Sequence, residues 1–253
     1  MTPLWTIPYS FNTWANMEKH VLELQIDLSR LGFQPGPLDG YWGSKTQAAL
    51  NRFQSEYHRP KSTGRPDTYH LVDAALDDCR RRVALLTTGD FEKIFPNAPA
   101  EYLEHLNDAL VEGCLYGDRK AMFLAQLSHE SAGLKYFEEI ASGAAYEGRK
   151  DLGNTEIGDG MRYKGRGPIQ LTGRHNYRRY GTLLNTPLEA IPTVAAQPHI
   201  GFRVAVMYWT DKALNSWADA GDYRRITKLI NGGYNGLEDR NRRLKRIRNI
   251  LGE

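Results

Sequence analysis

The stretch 123-FLAQLSHESAG-133 sets a histidine and a glutamate at the end of an apolar run, and Glu138, Glu139 and Glu147 follow before a glycine-rich segment. Read as one helix, residues 118–130 put Phe123, Leu127 and Glu130, with Leu134 beyond, along a single stripe. A carboxyl on such a stripe is either paired or held partly dry. Cleavage of a glycosidic bond needs carboxyls in two different settings. The proton donor has to stay protonated near neutral pH, which requires its pKa to rise from roughly 4.3 towards about 6 in apolar surroundings. The second carboxyl stays ionised and serves as base. Glu130 suits the first role, and Glu139 or Glu147, in polar surroundings, suits the second. On spacing alone, a surface glutamate cluster beside a loop is the competing reading.

Other chemistries find less support. The pair His129–Glu130 does not extend to H-E-x-x-H, because position 133 is glycine, and the other histidines show no paired spacing. No phosphate-binding loop and no G-x-S-x-G elbow occurs. Cys79 and Cys114 make neither a disulfide framework nor a metal motif, and both read as residues of ordinary helices in a protein made in a reducing compartment. No metal and no cofactor is expected.

The elements that must position these residues are helical. The segment 17-MEKHVLELQIDLSRLG-32 carries Val21, Leu24, Leu28 and Leu31 at helical spacing, and 32-GFQPGPLDGYWG-43 is a tight loop. Helices are expected over 44–57, with Ser44 as N-cap, and over 66–76, opening at Pro66. Further helical patterns occupy 98–113, 118–130, 197–214 and 222–231. The long segment 141–168, rich in glycine and charge, reads as a functional loop. The stretch 240-RNRRLKRIRNI-250 reads as a helix with a solvated basic face, with attraction to a polyanionic envelope as the functional alternative. At 253 residues with net charge +3, two domains are expected, and the charge alone implies no nucleic acid. The boundaries expected are a binding domain over 1–78, a linker over 79–89 and a catalytic domain over 90–253. The start of the chain lacks the pattern of a secretory signal, and no run is long enough to span a membrane, so the product is expected in the cytoplasm, as a monomer.

Three stretches, 123-FLAQLSHESAG-133, 163-YKGRGPIQLTGRHNY-177 and 229-LINGGYNG-236, resemble in order and spacing the glycoside hydrolase family 19 fold of plant-type chitinases and many bacteriophage endolysins. The resemblance covers about 90–250 and implies an α-helical, lysozyme-like domain. By position it makes Glu130 the general acid and Thr172 the holder of the attacking water, with Asn176 and Asn231 as substrate contacts. The endolysin branch puts the base on Glu139 and the chitinase branch points to Glu147; Glu139 is preferred. Family 19 chitinases invert the anomeric centre, a geometry with carboxyls about 6.5–9.5 Å apart. Gly165 and Gly167 admit a sugar close to the backbone. Gln170, Tyr163 and Arg166 either bind sugar or brace the cleft, and His129 is expected to be a packed, hydrogen-bonded neighbour.

The string 24-LQIDLSRLGFQPGPLDGYWGSKTQAALNRFQ-54 is similar to the peptidoglycan-binding domain 1 family nearly throughout. Tyr41 and Trp42 near its loop suit stacking on sugar, with Trp42 as core filler the alternative. Together the two resemblances imply a mainly α, modular endolysin. A small three-helix domain would bind bacterial peptidoglycan, and the catalytic domain would hydrolyse the β-1,4 bond between N-acetylmuramic acid and N-acetylglucosamine. Such enzymes wait in the host cytoplasm until a holin opens the membrane. A chitinase and a non-catalytic wall binder are the alternatives.

Overall fold

The computed structural model describes residues 14–57 and 68–253, with side chains for 18–57 and 72–253. Pro66, expected to open the third helix, lies outside them. Helices α1 (Trp14–Arg30), α2 (Ser44–Tyr57) and α3 (Thr68–Arg81) form the N-terminal unit. Leu24, Leu28 and Leu31 of the first helical pattern meet Phe33, Leu50, Phe53 and Leu76 in a small core of their own. The loop after α1 is braced from inside by Gln25, only 1% exposed. Its Oε1 accepts from the backbone N–H groups of Asp39 (3.1 Å) and Gly40 (3.0 Å). Its Nε2 lies 3.2 Å from Asp39 Oδ1, 3.0 Å from the Tyr41 carbonyl and 3.1 Å from Thr46 Oγ1. With its polar groups satisfied internally, the loop turns its aromatics outward: Tyr41 is 65% and Trp42 41% exposed, so Trp42 is not core filler.

Residues 82–87 lead into the larger unit, which comprises α4 (Thr88–Ile94), α5 (Tyr102–Glu112), α6 (Gly117–Glu130), α7 (Asp159–Arg162), α8 (Arg174–Leu183), α9 (Pro198–Asp211), α10 (Leu214–Asp219), α11 (Tyr223–Asn231) and α12 (Leu237–Leu251). Among the described residues, only isolated β-bridges accompany the helices. The amphipathic stripe anticipated for α6 needs correction: every residue from Arg119 to Ser128 is buried. The helix is enclosed because α12 and α10 both pack against it, and the Phe123 ring meets Trp209 of α9 edge-on at 5.4 Å. Burying a side chain such as Phe123 contributes roughly 1.5–3 kcal/mol.

A charged residue inside such a helix needs partners, and Arg119 finds them at the end of α1 in the N-terminal unit and on α10. Its guanidinium donates to the carbonyls of Arg30 (3.1 Å) and Leu31 (3.2 Å) and to both oxygens of Asp219 (2.6 and 2.5 Å). Those carbonyls end α1, where the helix leaves acceptors unpaired and its dipole is negative. Asn215 donates to the Arg30 carbonyl as well (2.7 Å), and Ser29 Oγ to the Thr210 carbonyl (2.5 Å). The two units are thus joined by a polar, hydrogen-bonded seam, in which Arg30 Nε and Thr210 Oγ1 are buried without a partner among the described residues.

The glycine-rich segment is less loose than its composition suggests. Short 3-10 turns at Ala144–Tyr146 and Lys150–Leu152 precede α7. Asp159, whose side chain is 2% exposed, gathers the segment. Its carboxylate accepts from the N–H groups of Thr155 and Glu156 (both 3.1 Å) and from Arg174 (2.9 and 2.5 Å). Arg174 above all holds this carboxyl below the usual range, against the opposing effect of burial. A carboxyl whose folded-state pKa is depressed contributes stability above its unfolded pKa of about 3.9 and loses it as pH falls through the folded value. The Asp159→Asn variant is therefore expected to melt at lower temperature than wild type at pH 7, with the gap narrowing as acid is added below about pH 4. Thermal melts across pH would show this, and a gap that does not change with pH would contradict it.

Candidate active site

Glu130 closes α6, with its side chain 20% exposed. The apolar setting anticipated for it is not what surrounds it: Oε1 accepts from Arg240 Nη2 at 2.5 Å. Arg240 comes from the first turn of α12 and is 1% exposed, so the basic run does not form a solvated face there. Its other terminal nitrogen bonds Gln126 Oε1, one turn earlier on α6, and Gln126 Nε2 donates to Thr227 Oγ1 on α11 at 3.1 Å. A buried guanidinium, bonded through both terminal nitrogens while its Nε has no partner among the described residues, thus fixes one carboxyl oxygen. Among the described residues no protein donor reaches Oε2.

Glu139 lies where the chain crosses a short antiparallel contact, the bridges Glu138↔Arg166 and Arg166↔Leu171. Its Oε2 accepts from the Gly165 N–H (3.0 Å) and its Oε1 from the Tyr146 hydroxyl (3.1 Å). Burial, and then this hydrogen bond, push the Tyr146 hydroxyl above its ordinary pKa, so it stays a donor. Neighbouring Glu138 pairs with Lys164 (3.1 Å) and Arg166 (3.2 Å). Burial opposes ionisation there, but these two cations hold the group below the usual carboxyl range.

Three oxygens converge over Gly165. A β-carbon added there would stand 2.6 Å from Gln170 Oε1, 3.2 Å from Glu139 Oε2 and 3.4 Å from Thr172 Oγ1. Gln170 is held in this position with φ of 54°, and its Nε2 donates to the Gly167 carbonyl at 3.1 Å. Thr172 Oγ1 donates to the Gln170 carbonyl (2.9 Å), and Asn176 Nδ2 donates to the Thr172 carbonyl (2.8 Å). Asn176, read as a substrate contact, therefore also fixes the turn that carries Thr172.

Several of the other sequence-derived positions serve the scaffold. Glu147 uses both oxygens on backbone N–H groups, Gly158 at 2.6 Å and Gly160 at 2.8 Å, and so ties the glycine-rich segment. Tyr163 is 1% exposed and donates to the Glu189 carbonyl (3.1 Å). Arg166, 5% exposed, donates to the Arg162 carbonyl (2.8 Å) and the Tyr177 hydroxyl (3.1 Å). Of the two readings left open for these two residues, bracing is the one their burial fits. Asn231 ends α11, exposed, with its amide 3.5 Å from the Asn235 carbonyl. That loop is pinned beside Glu130 by His129. The imidazole lies so close to Gly236 (φ 72°) that a β-carbon there would meet Nε2 at 2.6 Å, while Nδ1 bonds Asp239 at 2.7 Å. Burial raises Asp239, but Arg243 and His129 outweigh it and hold the carboxyl far below its usual range.

Sequence reasoning passed over Arg240, Gln126 and Tyr146. A signal for Arg240 existed: it shares the spacing of Leu244, Ile247 and Leu251, the face α12 turns inward.

Family models match in two places. The peptidoglycan binding domain covers residues 18–69, and the class I chitinase model of glycosyl hydrolase family 19 covers 117–220. A Haemophilus influenzae Rd protein described as a glycosyl hydrolase family 19 domain-containing protein is 31% identical over 182 residues, 59% of this chain and 89% of that one. An Arabidopsis thaliana endochitinase is 39% identical over 114 residues, but the match spans only 45% of this chain and 38% of the plant protein. Among solved structures, chitinase C from Streptomyces griseus HUT6037 superposes with a TM-score of 0.55 at 28% identity, over 66% of this chain and 76% of that chain. The chain belongs to glycosyl hydrolase family 19. It is a mainly helical glycosyl hydrolase of the chitinase fold with an N-terminal peptidoglycan-binding domain.

Because a β-carbon at Gly165 would stand 2.6 Å from Gln170 Oε1 and 3.2 Å from Glu139 Oε2, Gly165→Ala must push the Gln170 amide aside and crowd the Glu139 carboxylate. A shift of about 1 Å in such a site costs on the order of 10²-fold in rate. Glycan hydrolysis by this variant is expected to fall by about that factor with the helical circular dichroism signal retained. Wild-type turnover would contradict the placement of the site.

Proposed function

We propose that the protein is a cell-wall hydrolase that cleaves the β-1,4 bond between N-acetylmuramic acid and N-acetylglucosamine in peptidoglycan. The observation that carries this reading is the pairing in one chain of a family 19 glycosidase domain with a peptidoglycan-binding unit, docked on it through Arg119 and turning Tyr41 and Trp42 outward. Binding of the wall by one unit raises the local concentration of glycan at the other without any new contact in the cleft.

In this mechanism Glu130 is the general acid. Arg240 holds Oε1, and the carboxyl presents Oε2 to the leaving glycosidic oxygen. Glu139 is the general base. Gly165 N–H and Tyr146 aim its carboxylate, and the converging oxygens of Thr172 and Gln170 complete a seat for the attacking water. Glu147, with both oxygens on backbone donors, is a brace, which supports Glu139 over Glu147 as base. The water attacks the face opposite the departing sugar, the course of an inverting enzyme. The lytic role of a phage endolysin, released from the cytoplasm onto the wall, fits this activity. The second reading is a chitinase, favoured by the names of the plant and Streptomyces relatives.

Release of soluble muropeptides from purified sacculi is expected to fall about 10²–10⁴-fold in Glu130→Gln and in Glu139→Gln, with sacculus adsorption unchanged. Glu147→Gln is expected to retain most of its activity and to melt earlier. Full activity in Glu130→Gln would overturn the assignment of the acid. An inactive Glu147→Gln with an unchanged melt would move the base to that residue, and cleavage of chitin in preference to sacculi would favour the second reading.

A further inference from the structure

The two cysteines, read from sequence as residues of separate ordinary helices, meet at the seam between the units. Cys79 stands on α3. Cys114 is not helical: it occupies the corner between α5 and α6 in the left-handed region, with φ of 54°. Among the described residues, the buried core of the N-terminal unit draws its apolar side chains from α1 to α3 and the loop after α1, with one exception, Cys114. Both thiols are buried, at 5% and 0% exposure, in this one cluster, close enough to shift one another's titration. Arg119 Nη1, the group that caps α1, lies 3.7 Å from Cys79 Sγ and 3.4 Å from the Cys114 carbonyl. The guanidinium groups of Arg82 and Arg119 lie 4.0 and 4.7 Å from the Tyr116 ring centre beside the pair.

Two thiols in one buried cluster under a shared guanidinium are placed for thiol–disulfide chemistry, because neighbouring cations favour the attacking thiolate. Their electrostatics differ in the useful sense. The neighbouring Cys114 thiol and the two arginines bring Cys79 below its ordinary pKa despite burial, while Cys79 and burial raise Cys114. The segment 82–87, between Cys79 and Cys114 in sequence, is the covalent connection between the units, so a bond between these residues would span it.

We propose that Cys79 and Cys114 form a cross-link site: a low-molecular-weight or protein disulfide oxidises them to an intrachain disulfide that ties the peptidoglycan-binding unit to the catalytic unit. Cys79 thiolate attacks one sulfur of the oxidant R–S–S–R and expels R–S⁻. Cys114 gives its proton to that thiolate and attacks Cys79 Sγ in the mixed disulfide, expelling the second R–S⁻, which takes a proton from solvent. The balance is two protein thiols plus one disulfide giving one protein disulfide and two R–SH. Because both sulfurs are buried, the first exchange waits on local opening of the seam. The chain is thus dithiol in a reducing compartment and cross-linked in an oxidising one.

The test uses the full-length protein in buffers ranging from reduced to oxidised glutathione, quenched with iodoacetamide in denaturant. The expected result is that both cysteines leave the alkylated pool together, that mass spectrometry finds a peptide pair joined through Cys79 and Cys114, and that chains nicked by trypsin at Arg80–Arg82 stay together until reductant is added. Oxidant is also expected to raise the melting temperature of wild type and leave that of the Cys79→Ser/Cys114→Ser double variant unchanged. Independent alkylation of the two thiols at every ratio, stable glutathione adducts on either one, or disulfides only between chains would overturn the proposal.

Discussion

The contact on which the site depends is the one Arg240 makes inside the core. A guanidinium from α12 crosses to α6, binds Gln126 on one side and Glu130 on the other, and is sealed from solvent. Removing one partner from a buried ion pair leaves an uncompensated charge and costs about 3–5 kcal/mol. The network therefore fixes the relation of α12 to α6 and, in the same contact, the orientation of the Glu130 carboxyl. His129 does the same for the next loop, since its ring fills the space over Gly236 and its Nδ1 holds Asp239. In this way Glu130 and the 229–236 loop are positioned by the residues that close the fold.

The surroundings of Glu139 rest on backbone hydrogen bonds. Glu139 and Gly165 exchange hydrogen bonds across a two-strand contact: the Glu139 N–H donates to the Gly165 carbonyl at 2.9 Å, and the Gly165 N–H donates to the Glu139 carboxylate. Thr172 and Gln170 follow from the same turn. The glycine-rich segment is held by Asn154, Asp159 and Glu147, each satisfying backbone groups. A segment without a regular core is kept in shape by polar anchors, the buried Asn154 and Asp159 and the exposed Glu147, which serve where apolar area is scarce.

Much of the helical order was legible in the sequence, because apolar spacing carries it: α1, α2, α6 and α11 stand close to where their patterns put them. Two kinds of feature were not. Periodicity reads one buried face, so it could not show that α6 is enclosed on all sides; Arg119 and Gln126 look like surface residues until their partners, far along the chain, are in place. Local context likewise put Cys114 in a helix and Arg240 on a solvated face, and only the tertiary arrangement shows the corner and the clamp. The glutamates fall between these cases. Spacing and resemblance brought out Glu130, Glu139 and Glu147, but nothing local distinguishes a carboxylate that faces a threonine and a glutamine across a glycine from one that caps two backbone N–H groups.

The most direct measurement of the central claim, that Glu130 and Glu139 together break a glycosidic bond of the wall, is mass spectrometry of the soluble products from purified sacculi, with borohydride reduction to mark new chain ends. The account predicts reduced N-acetylmuramic acid at the ends of the released fragments. Fragments whose new ends are N-acetylglucosamine or peptide, or a complete failure to release fragments, would contradict it.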